Sequence, residues 1–367
     1  MLDQPRVQRP AMADRSTPLL FNHWYIAAYT REVTRAPMDR WLMGESVVLY
    51  RKNDGVAVAL QNRCPHRSFP LSKGKLEGDN IVCGYHGFKF NTAGKCVQVP
   101  SQATTKSSLD IASFPLVERG PLLWIWMGDA KLADPAKIPD HSWLHDPGHS
   151  AVLGYFHVKS NYVPLHENVL DLTHFHFLHG ADVGALSFVE APPETSVENG
   201  VVKVLRVDRD TIPPPHYARM AGIAGHRADR ISEAEVPSPA LSWARATIVD
   251  REPMPGARKD YHFWIMHGLT PVNQNETHYF WANVRDCSVG DKVIDEWLMP
   301  RSAKVLSEDV EAVQWCQEIW AQTAPERYGE LNVASDAPGV QVRRVLAQHA
   351  AKEHGGAVAE MDHHAPQ

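Results

Sequence analysis

The chain has 367 residues, room for two domains that each bury a core. Its formal charge of −6 leaves no basic footprint for a nucleic acid. No purely apolar run exceeds six residues, against the roughly 20 that a membrane-spanning helix needs. The 20 histidines raise the expectation of metal chemistry, and the five cysteines, an odd number with two at metal-ligand spacing, favour a reducing cytoplasm over a disulfide framework.

Residues 1–18 carry Asp3, Arg6, Arg9, Asp14 and Arg15 among prolines and lack the apolar stretch of a signal peptide. They read as a flexible leader, with Met12 an alternative start. From 19 to 130 the chain reads as short strands. Segments 46–51 and 55–60 flank Asn53-Asp54, a hairpin signal. Segments 81–82, 88–90 and 122–126 are further strands, with a turn at 91–94. Residues 131–150, rich in Asp, Pro, His and Gly, read as a linker. Within 151–350, buried strands at 261–270 and 277–284 accompany two helices. One starts near Pro164, a favoured first-turn residue, and runs through Phe175. The other begins after Ser307, a good N-cap, and carries Val310, Val313, Gln317 and Trp320 along one side. Residues 351–367 are polar and aperiodic and read as a disordered tail. There is no internal repeat and no glycine-rich nucleotide loop.

Two constellations carry chemistry. In the first, Cys64-Pro65-His66 and Cys83-Gly84-Tyr85-His86 suit a metal site at two hairpin tips. A single zinc takes two thiolates and two imidazoles in a tetrahedron, whereas a Rieske [2Fe–2S] cluster puts both thiolates on one iron and both imidazoles on the other. Zinc fingers keep cysteines paired with cysteines. Here each segment supplies one of each type, which favours the cluster. Cys96, Cys287 and Cys316 read as ordinary buried or partly buried thiols.

In the second, Asn168, Asp171, His174, His176 and His179 fall within one short stretch ending at Gly180. Asp171 and His174 share a helix side at i, i+3. His174 and His179 point about 140° apart on an ideal helix, so the helix must end or distort if both bind one metal. The pair His176 and His179 fits ideal helical spacing better, and spacing alone leaves the ligand pair open.

Segments 62–67 and 83–88 resemble the two cluster-binding loops of Rieske non-haem iron oxygenases, and 122–129 resembles the strand that closes their cluster domain. The spacing Asn-x₂-Asp-x₂-His-x₄-His resembles the family's catalytic iron motif. The likeness spans 20–350 and is strongest to homo-oligomeric oxygenase components of the vanillate O-demethylase, toluenesulfonate monooxygenase and phthalate dioxygenase type. It implies an α+β fold, with an N-terminal all-β Rieske domain and a C-terminal antiparallel-sheet-and-helix catalytic domain of helix-grip (START-like) form. It implies Cys64, His66, Cys83 and His86 on a [2Fe–2S] cluster. It also implies a mononuclear Fe(II) held by His174, His179 and Asp309, the last chosen over Glu308. Without the resemblance, Asp309 reads equally as an acidic residue complementing the first turn of a helix. His166 and His176 are left as hydrogen-bonded structural histidines.

The resemblance further implies a terminal oxygenase that hydroxylates or O-demethylates a small carboxylated or phenolic aromatic. It would be a homotrimer fed by a separate NAD(P)H-dependent reductase carrying flavin and iron–sulfur, and the missing nucleotide loop agrees. Asp171, with Asn168 a catalytic residue, is expected to bridge His174 to His86 of the next subunit. Residues of about 180–300 are expected to line the substrate cavity, with His267 a substrate contact and Arg245 a weaker candidate. Two other classes, a Rieske ferredoxin with an unrelated second domain and a zinc-stabilised binding protein, have no use for the second constellation.

Overall fold

The computed structural model describes residues 12–180, 193–323 and 330–355. Its first lobe holds ten short strands: β1 (Trp24–Tyr29), β2 (Met38–Leu42), β3 (Glu45–Arg51), β4 (Ala57–Gln61), β5 (Lys75–Glu77), β6 (Asn80–Val82), β7 (Lys89–Phe90), β8 (Cys96–Gln98), β9 (Leu116–Arg119) and β10 (Leu122–Trp126). They form three antiparallel sheets, ordered β1-β10-β9, β2-β3-β4 and β5-β6-β7-β8. The second lobe holds β11 (Ser150–Val158), α1 (Tyr162–Leu170), α2 (Phe175–Leu178), β12 (Glu194–Glu198), β13 (Val201–Thr211) and α3 (Pro215–Ala221). It continues with β14 (Ala228–Ser238), β15 (Leu241–Asp250), β16 (Asp260–Asn273), β17 (Glu276–Arg285), α4 (Lys292–Gln322) and α5 (Ala337–His354). Its strands form one antiparallel sheet, ordered β11-β17-β16-β15-β14-β13-β12. This is the expected α+β arrangement.

The strand pattern follows position in the sheet. β14 alternates, burying Ala228, Arg230, Ser232, Ala234 and Val236, as a strand with one covered face does. The central β16 and β17 are buried along most of their length because both faces are covered. β11 and β12 lie on opposite edges, so the segment joining them crosses the whole sheet, about 29 Å at the usual strand spacing. That crossing carries α1 and α2 over the sheet. There α4 meets them, burying Ile294, Leu298, Ser302, Leu306, Asp309, Val313 and Gln317 along one stripe.

The lobes share a core. Tyr29 Oη stands 2.7 Å from the carbonyl oxygens of both Gly154 and Trp281, and Thr270 Oγ1 donates to Ile26 O at 2.8 Å. The expected leader is therefore packed where it is described: Ala13 is buried and its amide donates to Arg343 O. Glu353 accepts from the amides of Phe21 and Asn22, so the chain beyond 350 is helical to His354 rather than a tail. Residues 1–11 and 356–367 lie outside the described residues. The expected linker is a strap of three 3₁₀ turns with Ile138, His141 and Leu144 buried. No helix among the described residues is long and apolar enough to cross a membrane.

Both helix expectations need correction. The first helix stops at Leu170, and the second starts at Lys292, capped by the Asp291 carboxylate on the amides of Val293 and Ile294. α4 runs through Pro300, losing one backbone bond there. Ser307 is not a cap. It sits inside the helix, its hydroxyl donating back to Lys304 O.

Gly154 pairs with Trp281, and a Cβ on it would lie 2.1 Å from the indole. Gly154→Ala is therefore expected to lower unfolding free energy by about 1–3 kcal/mol, read as a lower urea midpoint at constant slope. An unchanged midpoint would mean that the indole moves aside at no cost.

Candidate metal centres and active site

Cys64 and His66 lie on the β4–β5 loop, Cys83 and His86 on the β6–β7 loop. The loops repeat one hydrogen-bond pattern. The Cys64 amide donates to Phe69 O (2.9 Å) and its carbonyl accepts from Ser68 N (2.9 Å); the Cys83 amide donates to Phe88 O (2.8 Å) and its carbonyl accepts from Gly87 N (3.1 Å). Ser68 and Gly87, at matching positions, both have positive φ, +58° and +73°. Both thiols are buried and unpaired by disulfide, while both imidazoles are exposed with centroids 4.5 Å apart. Burial pushes the Cys64 thiol up to about 11, and the neighbouring Cys83 thiol adds to the rise. Two such thiolates are stable side by side when a cation lies between them.

A single zinc would draw all four side chains round one point. Thiols inside and imidazoles outside fit a two-iron cluster instead, with the thiolates on one iron and the imidazoles on the other. Of the remaining cysteines, Cys96 and Cys287 are buried, whereas Cys316 is exposed.

The second constellation converges. His174, His179 and Asp309 place one donor atom each within 4.8 Å of one another. The helix break that this requires is built by Asp171, whose Oδ1 accepts from both the amide (2.8 Å) and the hydroxyl (2.6 Å) of Thr173. α1 ends there, a 3₁₀ turn spans Leu172–His174, and α2 runs to Leu178 with His179 as its C-cap and Gly180 in a left-handed conformation (φ +60°). Asp309 comes from the middle of α4, not from its first turn.

His174 Nε2 and His179 Nε2 each lie 3.2 Å from Asp309 Oδ1, yet both are buried without hydrogen-bond alignment. Such unspent ring nitrogens, aimed with a carboxylate at one point, fit a metal ion on a 2-His-1-carboxylate face. Burial alone would raise the Asp309 carboxyl; the two imidazoles hold it below the ordinary carboxylate range. Asn168 Nδ2 donates to Asp309 Oδ1 at 3.0 Å and fixes the carboxylate.

Glu308 is not one of the converging ligands but steadies one of them: its Oε2 lies 2.9 Å from His179 Nδ1 and orients that ring. Its signal in the sequence was its place beside Asp309, one helical step round. One expectation fails: His176 is exposed and meets the Phe177 ring rather than a structural hydrogen bond. Asp171 has its Oδ1 on Thr173, and among the described residues the buried His174 Nδ1 has no hydrogen-bond partner. His166 is structural as expected, between Ser242 Oγ and Pro239 O.

A cavity of 350 Å³ opens onto this set. His267 lines it, with Nδ1 2.6 Å from Tyr279 Oη; burial pushes the imidazole down to about 4, so the ring is neutral at pH 7. Arg245 is paired with Glu233 and is not part of the lining. The lining reaches past the expected 180–300 range, because α4 contributes Arg301 through Asp309 and α1 contributes Asn168 and Val169. Residues 181–192 of that range lie outside the described residues.

A cysteine–histidine cluster site on one lobe and a two-histidine, one-carboxylate site on the other define the oxygenase component of a Rieske-type non-haem iron system. Comparison with known proteins agrees. Residues 23–115 match the Rieske [2Fe-2S] domain, and residues 158–352 match the vanillate O-demethylase oxygenase C-terminal domain. The oxygenase component of dicamba O-demethylase from Stenotrophomonas maltophilia is 33% identical over 89% of this chain and 96% of its own. The toluene-4-sulfonate monooxygenase iron–sulfur subunit of Comamonas testosteroni is 32% identical over 91% and 98%. The crystal structure of dicamba monooxygenase bound to 3,6-dichlorosalicylic acid superposes with a TM-score of 0.86 at 30% identity, covering 92% of this chain and 99% of that one. The chain belongs to the vanillate O-demethylase-type Rieske oxygenases. Its cofactors are a Rieske [2Fe–2S] cluster and a mononuclear non-haem iron.

Glu308→Gln keeps the shape beside His179 but removes the charge. It is expected to weaken iron binding at the His174/His179/Asp309 set by roughly tenfold or more, measured by chelator competition, with cluster absorbance unchanged. Unaltered iron affinity would remove Glu308 from the site.

Proposed function

We propose that this oxygenase hydroxylates or O-demethylates a small aromatic compound bearing a carboxylate, other anionic group or phenol. Electrons would come from a separate NAD(P)H-dependent reductase carrying flavin and iron–sulfur. The observation that carries the reading is the 350 Å³ cavity, at the small end of ligand pockets, ending on the three converging ligands. Relatives named for vanillate, toluene-4-sulfonate and dicamba support the substrate class.

In this reading Cys64, His66, Cys83 and His86 hold the cluster in a domain of residues 19–130. His174, His179 and Asp309 hold the iron in a catalytic domain of 151–350. When bound, the iron supplies O₂ activation with electrons relayed through the cluster. The chain's own residues do the rest. Asn168 and Glu308 hold two of the ligands in place. Leu172, Ile265, Leu298 and Leu306 keep water from the cavity, and His267 offers a neutral polar contact to substrate. O-demethylation follows if the hydroxylated carbon is a methoxy methyl, since the hemiacetal collapses to phenol and formaldehyde.

The assembly we propose is a cytoplasmic homotrimer that sets the cluster of one subunit beside the iron site of the next. Two exposed rings support it: Tyr85, 61% exposed beside His86, and Phe177, 74% exposed within α2. Asp171 then uses its second oxygen to join His174 to His86 of the neighbour. That link would also occupy His174 Nδ1, which has no hydrogen-bond partner among the described residues.

A panel of methoxybenzoates and hydroxybenzoates, assayed with a surrogate reductase, should contain a compound giving product in step with O₂ uptake. No ring compound supporting uptake would refute the substrate class. His179→Ala should lose the mononuclear iron and keep the cluster spectrum, whereas His176→Ala keeps both; the reverse pattern would replace the ligand assignment. Asp171→Asn should retain iron and a reducible cluster while turnover falls by orders of magnitude. Cluster reoxidation at the wild-type rate in stopped flow would exclude the bridge.

A further inference from the structure

The mouth of the cavity is cationic in a way that nothing in the iron site requires. Arg219 on α3 and Arg301 on α4 both line it, and both lie against one indole, that of Trp297. Their guanidinium carbons stand 4.5 and 4.6 Å from the Trp297 ring centroid, and Arg301 Nη1 donates to Trp297 O at 3.1 Å. Two like charges gathered on one ring repel each other, and among the described residues neither meets a carboxylate. The nearby acids are engaged elsewhere: Glu308 on His179, Asp309 among its two imidazoles, Asp295 on Arg285. Stacking on an indole holds each guanidinium fork in place, which lowers the ordering cost of closing on a planar anion.

The other end of the cavity is different in kind. His267 is neutral there, with one nitrogen at the Tyr279 hydroxyl, so the floor offers a dipole rather than a charge. The lining also carries the apolar side chains of Val169, Leu172, Ile265 and Leu298, beside the polar Asn283 and Ser302.

We propose that Arg219 and Arg301 are the anion-recognition pair of this oxygenase, binding a carboxylate or sulfonate at the mouth so that the apolar body of the substrate points toward His174, His179 and Asp309. The inference rests on the aromatic-substrate reading above and sharpens it: the anionic group faces the two guanidiniums, and His267 is left for a neutral contact such as an ether or phenol oxygen. Both arginines are exposed, so the attraction is screened by salt.

The test is calorimetric binding to the iron-loaded holoenzyme without O₂, using matched probes. 3-Methoxybenzoate and 4-methylbenzenesulfonate are compared with 3-methoxybenzamide and 4-methylbenzenesulfonamide. Wild-type protein should bind an anion more tightly than its amide, with the preference shrinking as salt rises. Arg219→Met and Arg301→Met should each weaken anion binding by roughly tenfold or more and leave amide binding unchanged, which also reports an intact cavity. Arg219→Lys should recover part of the loss. Amides binding wild-type protein as well as the anions, anions binding the Met variants unchanged, or no binding of either anion would each overturn the assignment. A loss confined to His267→Ala would move the anion to the floor and overturn it too. Failure of the function reading has a separate signature: anions bound through the arginines, but no O₂ uptake with any aromatic.

Discussion

Asp171 Oδ1 accepts two hydrogen bonds from Thr173, and that one capped turn stops α1 before His174 is reached. An uninterrupted helix would send His174 and His179 to different sides. With the chain re-started as a 3₁₀ turn and then α2, both rings face Asp309. The ligand geometry, the orphaned ring nitrogens and the cavity above them all depend on this interruption.

The turn can act only because the sheet delivers it to the right place. β11 and β12 stand on opposite edges of a seven-stranded sheet, so the connection between them must cross the face that α4 also covers. Asp309 lies well inside α4, held by turns on both sides of it, and Asn168 reaches from α1 to bond it. A ligand carried on a long packed helix moves less than one carried at a frayed end. The cluster loops are held differently, one linking β4 to β5 in another sheet and one closing the β6–β7 hairpin, with matching backbone bonds over a separate small core that contains both cysteine side chains. The lobes are nonetheless one body, locked where Tyr29 meets β11 and β17.

The electrostatics of the cavity follow from burial. His267, sealed under the sheet face, gives up its charge, whereas arginines at the rim keep theirs in contact with water. A pocket neutral at the floor and positive at the mouth gives an anionic guest a direction as well as a site.

Much was legible in the chain before folding. Cys64, His66, Cys83 and His86 stand close together in sequence because each loop brings its cysteine and histidine together locally, so spacing alone was informative, although only the second loop is a hairpin tip and the first joins strands of different sheets. The hairpin at Asn53-Asp54 and the strands at 122–126, 261–270 and 277–284 could be read because burial in a sheet leaves runs of apolar residues. The choice between His174 and His176 was not legible, since helical spacing favoured the wrong pair and the Asp171–Thr173 turn reverses it. Nor was the start of α4: Ser307 has the chemistry of a cap, but packing against the sheet carries the helix fifteen residues further back, through a proline that local preference would not place there. Glu308 against His179, Asn168 against Asp309, and Arg219 beside Arg301 are contacts between elements distant in sequence. Residue types and local spacing determined which side chains could bind metal; the crossing of the sheet decided which of them meet, because only packed elements bring such distant residues within bonding distance.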